Sequence, residues 1–313
     1  MSNPDAHDDP MGDVEFVGGF APFGQPEWRG IVAVRHQLGA PEQRPPIHHH
    51  AGIELAAVGD GDARFVLPVG PRWRDPKGAV PAAASVFLCD APLGTAVLSR
   101  LGAGLTSPTA ELSVFHLATG SGPTLAADAR VVHLDGHTGY AECDIVDTDG
   151  TLVARATTRI AVTAVPPHRL PAPHPVPADF VPHHLRPVPE GVATPWLDLH
   201  GIEVLSARIG EAILRMLTLG WHLSPSANLY GGTLGLLAQA ATDTAASTTA
   251  PGGTTAIPYD LKVQYPRPIG PGATLTATAR VVHAGRRTCF SEVLIHRDDG
   301  KLVTLGTATH GYR

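Results

Sequence analysis

Asp90 follows the apolar run Ala82-Ala83-Ala84-Ser85-Val86-Phe87-Leu88-Cys89, and an acid so placed is costly unless it is paired or used. A second apolar run opens Tyr230-Gly231-Gly232-Thr233-Leu234 and carries Gln239 eight residues beyond Gly231, as Asp90 lies eight beyond Ala82. Both stretches have helical composition. A helix N-terminus offers unpaired N–H groups and a positive dipole end, which suits an oxyanion. Paired glycines at 231–232 let a ligand come close to the backbone, and Pro81 suits a first-turn position. The two stretches thus offer a cradle for an oxyanion and a carboxyl group able to act as a base. The competing reading is an Asp bonded to its neighbouring backbone, with no chemistry at all. Asp243, one turn beyond Gln239 on the same face, offers a further acid.

The elements that position these groups follow from an internal duplication. Ala129–Thr157 recurs at Ala279–Thr307 with 13 identities in 29 ungapped positions, where chance gives roughly two. Upstream the register shifts by one residue: Gly52-Ile53-Glu54 matches Gly201-Ile202-Glu203, and Leu112 and Val114 match Leu261 and Val263. Within a repeat, 124–134, 138–146 and 151–162 alternate apolar and polar residues between Asp-Gly turns, as do 273–284, 288–297 and 301–311. Short strands near 53–59 and 63–69, the apolar helix at about 81–98, and a strand near 110–117 complete the unit. The order β-β-α-β-β-β-β predicts an α+β unit, an antiparallel sheet with one long hydrophobic helix on it, built twice.

This gives an N-terminal extension over 1–45, a first domain over 46–164, a connector over 165–196 and a second domain over 197–313. The first dozen residues are expected to be disordered, and 16–38 to add a strand or cover an edge. Val165–Pro195 holds ten prolines, so the connector spans a distance rather than making a tight turn. The apolar stretch 78–98 is long enough for a membrane span, but Asp90 and two prolines favour a buried core helix.

Composition narrows function. The 313 residues carry a net charge of −6 with scattered arginines, which argues against nucleic acid. Three cysteines, Cys89, Cys143 and Cys289, form no paired pattern, which suits a reducing compartment. With no signal-peptide pattern at the N-terminus, a cytoplasmic setting is expected. His48-His49-His50 would alternate faces in an extended chain and could not readily share a metal ion. Cys89 is expected in the core, and His133, His283, Glu142 and Glu292, matched between repeats, on the sheet for structural reasons.

The helix starts resemble the hot-dog fold, in particular the 4-hydroxybenzoyl-CoA and phenylacetate-pathway acyl-CoA thioesterases. Their helix opens on a pattern like Asn-x-x-Gly-x-Val-His-Gly-Gly, with a catalytic acid eight residues after the first paired glycine. The first repeat keeps Gly78 and Val80, with Asp75 for the Asn, Pro81 for the His and Ala82-Ala83 for the glycines. The second keeps Gly231-Gly232, with Ser224 for the Asn and Tyr230 for the His. The resemblance covers residues 50–162 and 199–313 and implies a tandem hot-dog protein that hydrolyses acyl-CoA. Coenzyme A enters as part of the substrate and no cofactor is needed; neither nucleic acid nor membrane is a partner, and further assembly of the double units is possible.

Carried over by position, two unlike sites lie between the repeats. The first joins Tyr230, Gly231 and Gly232 to Asp90, with Ser107 or Thr109 at the hydroxyl position; it alone pairs intact glycines with a carboxylate. Gly231 N–H, with Gly232, would bind the thioester oxygen, while Asp90 acts as general base or nucleophile. The second joins Asp75, Pro81 and Ala82 to Gln239, with Thr254 or Thr255 near and Asp243 as its acid. Arg286 and Arg287, in a hairpin turn, are candidates to hold a coenzyme A phosphate, a solvated turn being the alternative. An acyl-CoA-binding protein without turnover and an enoyl-CoA hydratase or dehydratase are the competing functions; the Asp and His that the latter needs close together on the helix are missing from both repeats.

Overall fold

A computed structural model describes residues 16–20, 30–39, 44–165 and 173–313. In chain order the helices are α1 (Gly30–Gly39), α2 (Pro46–Ala51), α3 (Ala82–Ser99), α4 (Pro195–Leu199) and α5 (Gly231–Ser247). The first repeat contains strands β1 (Glu54–Val58), β2 (Asp62–Pro68), β3 (Leu105–Thr106), β4 (Thr109–His116), β5 (Thr124–Leu134), β6 (Thr138–Asp147), β7 (Leu152–Ala161) and β8 (Thr163–Ala164). The second contains β9 (Ile202–Arg208), β10 (Glu211–Leu217), β11 (Ala256–Gln264), β12 (Thr274–Ala284), β13 (Thr288–Arg297) and β14 (Leu302–Tyr312).

Twelve strands form one antiparallel sheet in the order β1-β2-β5-β6-β7-β4-β11-β14-β13-β12-β10-β9, while β3 and β8 pair separately. The halves join where β4 pairs with β11: Leu112 lies opposite Val263 and Val114 opposite Leu261. The repeat relates Leu112 to Leu261 and Val114 to Val263, so this pairing is self-complementary, like the interface of a two-fold dimer. Each sheet half wraps its own helix, the tandem hot-dog architecture. α3 is apolar nearly all round and is therefore buried on nearly all sides, against β2, β5 and β6 and against α5. Although α3 is long and apolar enough to cross a membrane, 78% of that window is buried inside the molecule.

Two local expectations need correction. Of the strand or edge cover expected over 16–38, the described part supplies a helix, α1, beside the edge strand β1: Gly30 and Val34 are buried one turn apart while Val32 is exposed, and Val34 packs on Leu98 and Leu101 and against Leu55 and Val58 of β1. Among the described residues of 16–38, Gly18 makes a strand-like bridge with His174. The expected disorder of the first dozen residues falls outside the described residues. His48, His49 and His50 lie on α2, not on extended chain, because Pro46 starts a helix there and Gly52, at φ 85°, ends it. Pro81 is the residue before the first turn of α3, in extended conformation, not within the turn.

The connector carries the chain from β7, mid-sheet, to β9 at the far edge. On the way, His183 and His184 dock in a cage of rings from both repeats. His183 Nε2 lies 3.1 Å from His50 Nδ1, and the His200 ring sits between Trp73 and Trp221, 5.2 and 5.6 Å away. The fit is close: a Cβ on Gly52 would lie 2.2 Å from the His184 ring.

A shared sheet and touching core helices leave neither half an independent core. Calorimetry should therefore show a single unfolding transition; two resolved transitions would contradict this. Leu112→Ala, which truncates a fully buried side chain of the junction strand, should lower stability by about 2–5 kcal/mol, measured by denaturant titration.

Candidate functional site

The two helices touch where α5 begins. A Cβ on Gly232 would lie 2.4 Å from the Phe87 carbonyl oxygen, and one on Gly231 would lie 2.8 Å from Asp90 Oδ2. Only glycines let the first turn of α5 come this near the middle of α3. At the contact, Asp90 Oδ2 accepts a hydrogen bond from the Gly232 N–H at 3.1 Å, and Oδ1 accepts one from the Thr109 hydroxyl at 2.8 Å. Asp90, Thr109, Gly231 and Gly232 thus meet, from both repeats, as the positional carry-over anticipated. The Gly232 donor is occupied by Asp90, so it is not available to a substrate oxygen. Gly231 N–H, the first of the helix, has no partner among the described residues.

Burial pushes the Asp90 carboxyl above its ordinary range, and the bonds from Thr109 and Gly232 offset only part of that. Asp90 and Gly231 both face a cavity of about 480 Å³. Thr109, Ser107, Tyr230 and Tyr265 line it too, with His48 and Arg267 on its wall. His48 is neutral, lowered to about 3 mainly by burial and then by the charges of His49 and Arg44.

Tyr230, assigned by position to the first site, spends its hydroxyl within the protein. Its hydroxyl donates to the Phe87 carbonyl at 2.7 Å and accepts from the Ala91 N–H at 2.8 Å. These two backbone groups, four residues apart, would otherwise bond to each other, so the phenol is inserted into the ladder of α3. Pro92, lacking an N–H, removes the next bond. The helix is thereby opened around Asp90, and a residue of one repeat holds open the helix of the other. Ser107 also departs from its expected role: its hydroxyl donates to the Gly94 carbonyl, leaving Thr109 as the partner of Asp90. Sequence reasoning missed Tyr265, whose hydroxyl donates to the Gly231 carbonyl at 3.1 Å. Extending the repeat register would have flagged it, because Tyr265 stands where the first repeat has His116.

The second expected site is differently built. Gln239 Nε2 donates to Asp243 Oδ1 at 2.6 Å, and its Oε1 lies 3.1 Å from His116 Nε2. His310 Nε2 reaches the same Asp243 oxygen at 2.8 Å. His116 and His310 were not singled out from the sequence, since no local motif surrounds either. Burial pulls the His310 imidazole down, but hydrogen bonds and charge from Asp243, aided by Cys289, outweigh it and hold it at about 9. The remaining assignments to this site find other partners. Asp75 accepts from the Lys77 and Ala79 N–H groups of its own turn, Thr254 is exposed and bonds to the Pro251 carbonyl, and Thr255 exchanges backbone bonds with Arg313. Arg286 and Arg287 are exposed on the β12–β13 hairpin and do not line the cavity.

Residues 84–154 and 227–304 each match the thioesterase superfamily. No curated protein matches the chain. Among solved structures, a phenylacetic acid degradation protein from Thermus thermophilus is 33% identical, with 37% of this chain and 97% of that one covered, at a TM-score of 0.35. A tesB protein from Mycobacterium avium covers 83% of this chain and 96% of its own at 14% identity and a TM-score of 0.60. A putative thioesterase from Novosphingobium aromaticivorans covers 82% and 97% at 17% identity and a TM-score of 0.57. These last two extend the likeness across both repeats and show the double fold.

Two outcomes are expected. Tyr230→Phe leaves the Phe87 carbonyl and Ala91 N–H without their bridge and should cost about 1–3 kcal/mol in denaturant unfolding. His310 is raised from 6.5, so its contribution is fully present below pH 6.5 and is lost as pH rises through about 9. Asp243→Asn should therefore destabilise on the order of 2 kcal/mol at pH 6, a figure discounted for the partial exposure of Asp243, with the difference shrinking toward pH 9. A pH-independent difference would contradict the ion pair.

Proposed function

The chain belongs to the thioesterase superfamily and is a thioester hydrolase of the hot-dog fold, and from that premise we propose that it cleaves acyl-CoA to the free acid and coenzyme A between its two repeats. The observation that carries this reading is the junction of Asp90 with the start of α5, beside a cavity. The thioester carbonyl oxygen lies against the Gly231 N–H, at the positive end of the helix dipole. Asp90 takes a proton from water as the water oxygen adds to the carbonyl carbon, and the carbonyl oxygen gains charge toward Gly231. When the tetrahedral species collapses, the C–S bond breaks and Asp90 returns the proton to the departing coenzyme A thiolate.

Two features support base rather than purely structural work for Asp90. Its carboxyl is raised by burial, which brings its basicity nearer to neutral pH. Its two hydrogen bonds, from Thr109 and Gly232, fix its direction without neutralising it. A single N–H aimed at the growing oxyanion contributes on the order of 3 kcal/mol, so Gly231 supplies a substantial share of the stabilisation. Tyr265, bonded to the Gly231 carbonyl, steadies the next peptide, whose Gly232 N–H orients Asp90.

Asp90→Asn should lower kcat on an acyl-CoA substrate by about 10²–10⁴-fold, measured by thiol release, with full activity in that variant overturning the assignment. The active form is the carboxylate. Because burial raises the group, the acid limb of the kcat profile should lie above the ordinary carboxylate value of 3.8 and be absent in the Asn variant.

A further inference from the structure

We infer that the cavity arm beside Gly94 receives the acyl chain, that the chain is unbranched and aliphatic, and that Gly94 sets its length; this rests on the thioesterase reading above.

The repeats themselves show why an arm exists on one side. Asp90 and Gln239 are equivalent by the repeat register, and one turn further Gly94 is equivalent to Asp243. Downstream, Ile160 of β7 is equivalent to His310 of β14, and each holds the same place across its sheet: Ile160 pairs with Gly139, His310 with Cys289. In the second repeat, Asp243 and His310 reach toward each other and bond at 2.8 Å. In the first, the same two positions hold a residue with no side chain and an aliphatic one. A Cβ built on Gly94 meets nothing within 4 Å, and Gly94 lines the cavity. Space that one repeat fills with an ion pair is left open in the other, next to the acid.

The chemistry of the walls says what the space takes. Ala91, Gly94 and Leu98 of α3 line the arm at helical spacing, and from Asp90 to Leu98 the helix rises about 12 Å. Pro108, Ala161 and Val165 face them, interspersed with the hydroxyl-bearing Thr95, Thr106, Ser107 and Thr163, and no charged and no aromatic side chain lies along this stretch among the described residues. An uncharged run of that length suits a flexible aliphatic chain, with neither a ring to stack an aryl group nor a cation to hold a carboxylate. On the other side of the junction, beside Leu229 and Ile269, the lining includes Ser224, Ser226, Asn228 and Arg267, the one Lys or Arg among its described residues. Amide-bearing pantetheine and phosphates belong with those groups, which leaves the Gly94 arm for the acyl chain.

The test measures kcat/KM for butanoyl-, octanoyl-, dodecanoyl- and palmitoyl-CoA in the wild type, Gly94→Ala and Gly94→Leu. The dissociation constants of the matching non-hydrolysable acyl-CoA thioethers are measured in parallel. The dodecanoyl-to-butanoyl ratio should fall at least tenfold in Gly94→Leu and less in Gly94→Ala, in turnover and in binding alike. An unchanged ratio overturns the inference. So does an equal loss at every chain length, which would put pantetheine, common to all the substrates, in this arm. If Gly94→Leu does not fold by its melting curve, the graded Ala variant decides. A wild type that cleaves none of the substrates refutes the thioesterase reading, while the thioether ratios still test the arm.

Discussion

The approach of the first turn of α5 to the middle of α3 is the contact on which the site depends. Two apolar helices packing at ordinary distance would keep an acid and a helix N-terminus apart. Here glycines at 231 and 232 remove the side chains that would intervene, and the Phe87 carbonyl and the Asp90 carboxylate occupy the space so released. The Tyr230 phenol then fastens one helix into the backbone of the other. Three consequences come from one crossing: the acid is buried and raised, the Gly232 N–H is spent orienting it, and the Gly231 N–H faces the cavity without a partner. The self-complementary pairing of β4 with β11 holds the crossing at its distance.

Much of the architecture was legible because the duplication supplies an internal alignment. Strands β5 to β7 and β12 to β14 fall within a residue or two of the limits read from alternation and Asp-Gly turns. At the site, Asp90, Gly231 and Thr109 could be placed together from helix spacing and from resemblance. What could not be read was the sharing of donors. Whether a tyrosine hydroxyl faces a substrate or enters a helix ladder depends on an interhelical distance that no local pattern encodes. The same holds for His116 and His310, which reach Gln239 and Asp243 from strands remote in sequence. Asp75 and Thr254 sat at plausible positions, yet each satisfies its own turn, the usual competing use of short polar side chains.

The differences between the repeats are compensated locally, which explains how the sheet tolerates them. Val97 packs over Gly139 in the first, while Ala246 packs with Cys289 in the second, a reciprocal exchange of large and small. Gly94 with Ile160 against Asp243 with His310 is a second coordinated exchange, of space and methyl groups for a bonded acid and base. Copies in a symmetric dimer would have to change together; covalent fusion lets each change alone.

The histidine cage under the connector has a bearing on acid tolerance. His200 and His222 are enclosed and held far below 6.5, chiefly by burial. Each would take up a proton near pH 6.5 in the unfolded chain but refuses one in the folded state. As pH falls below 6.5, each such ring progressively withdraws stability from the folded state. The rings that clasp the connector to both repeats therefore act together as an acid-labile latch. Acid therefore works against the fold at the place where the two repeats and the connector meet, whatever the pH preference of the chemistry.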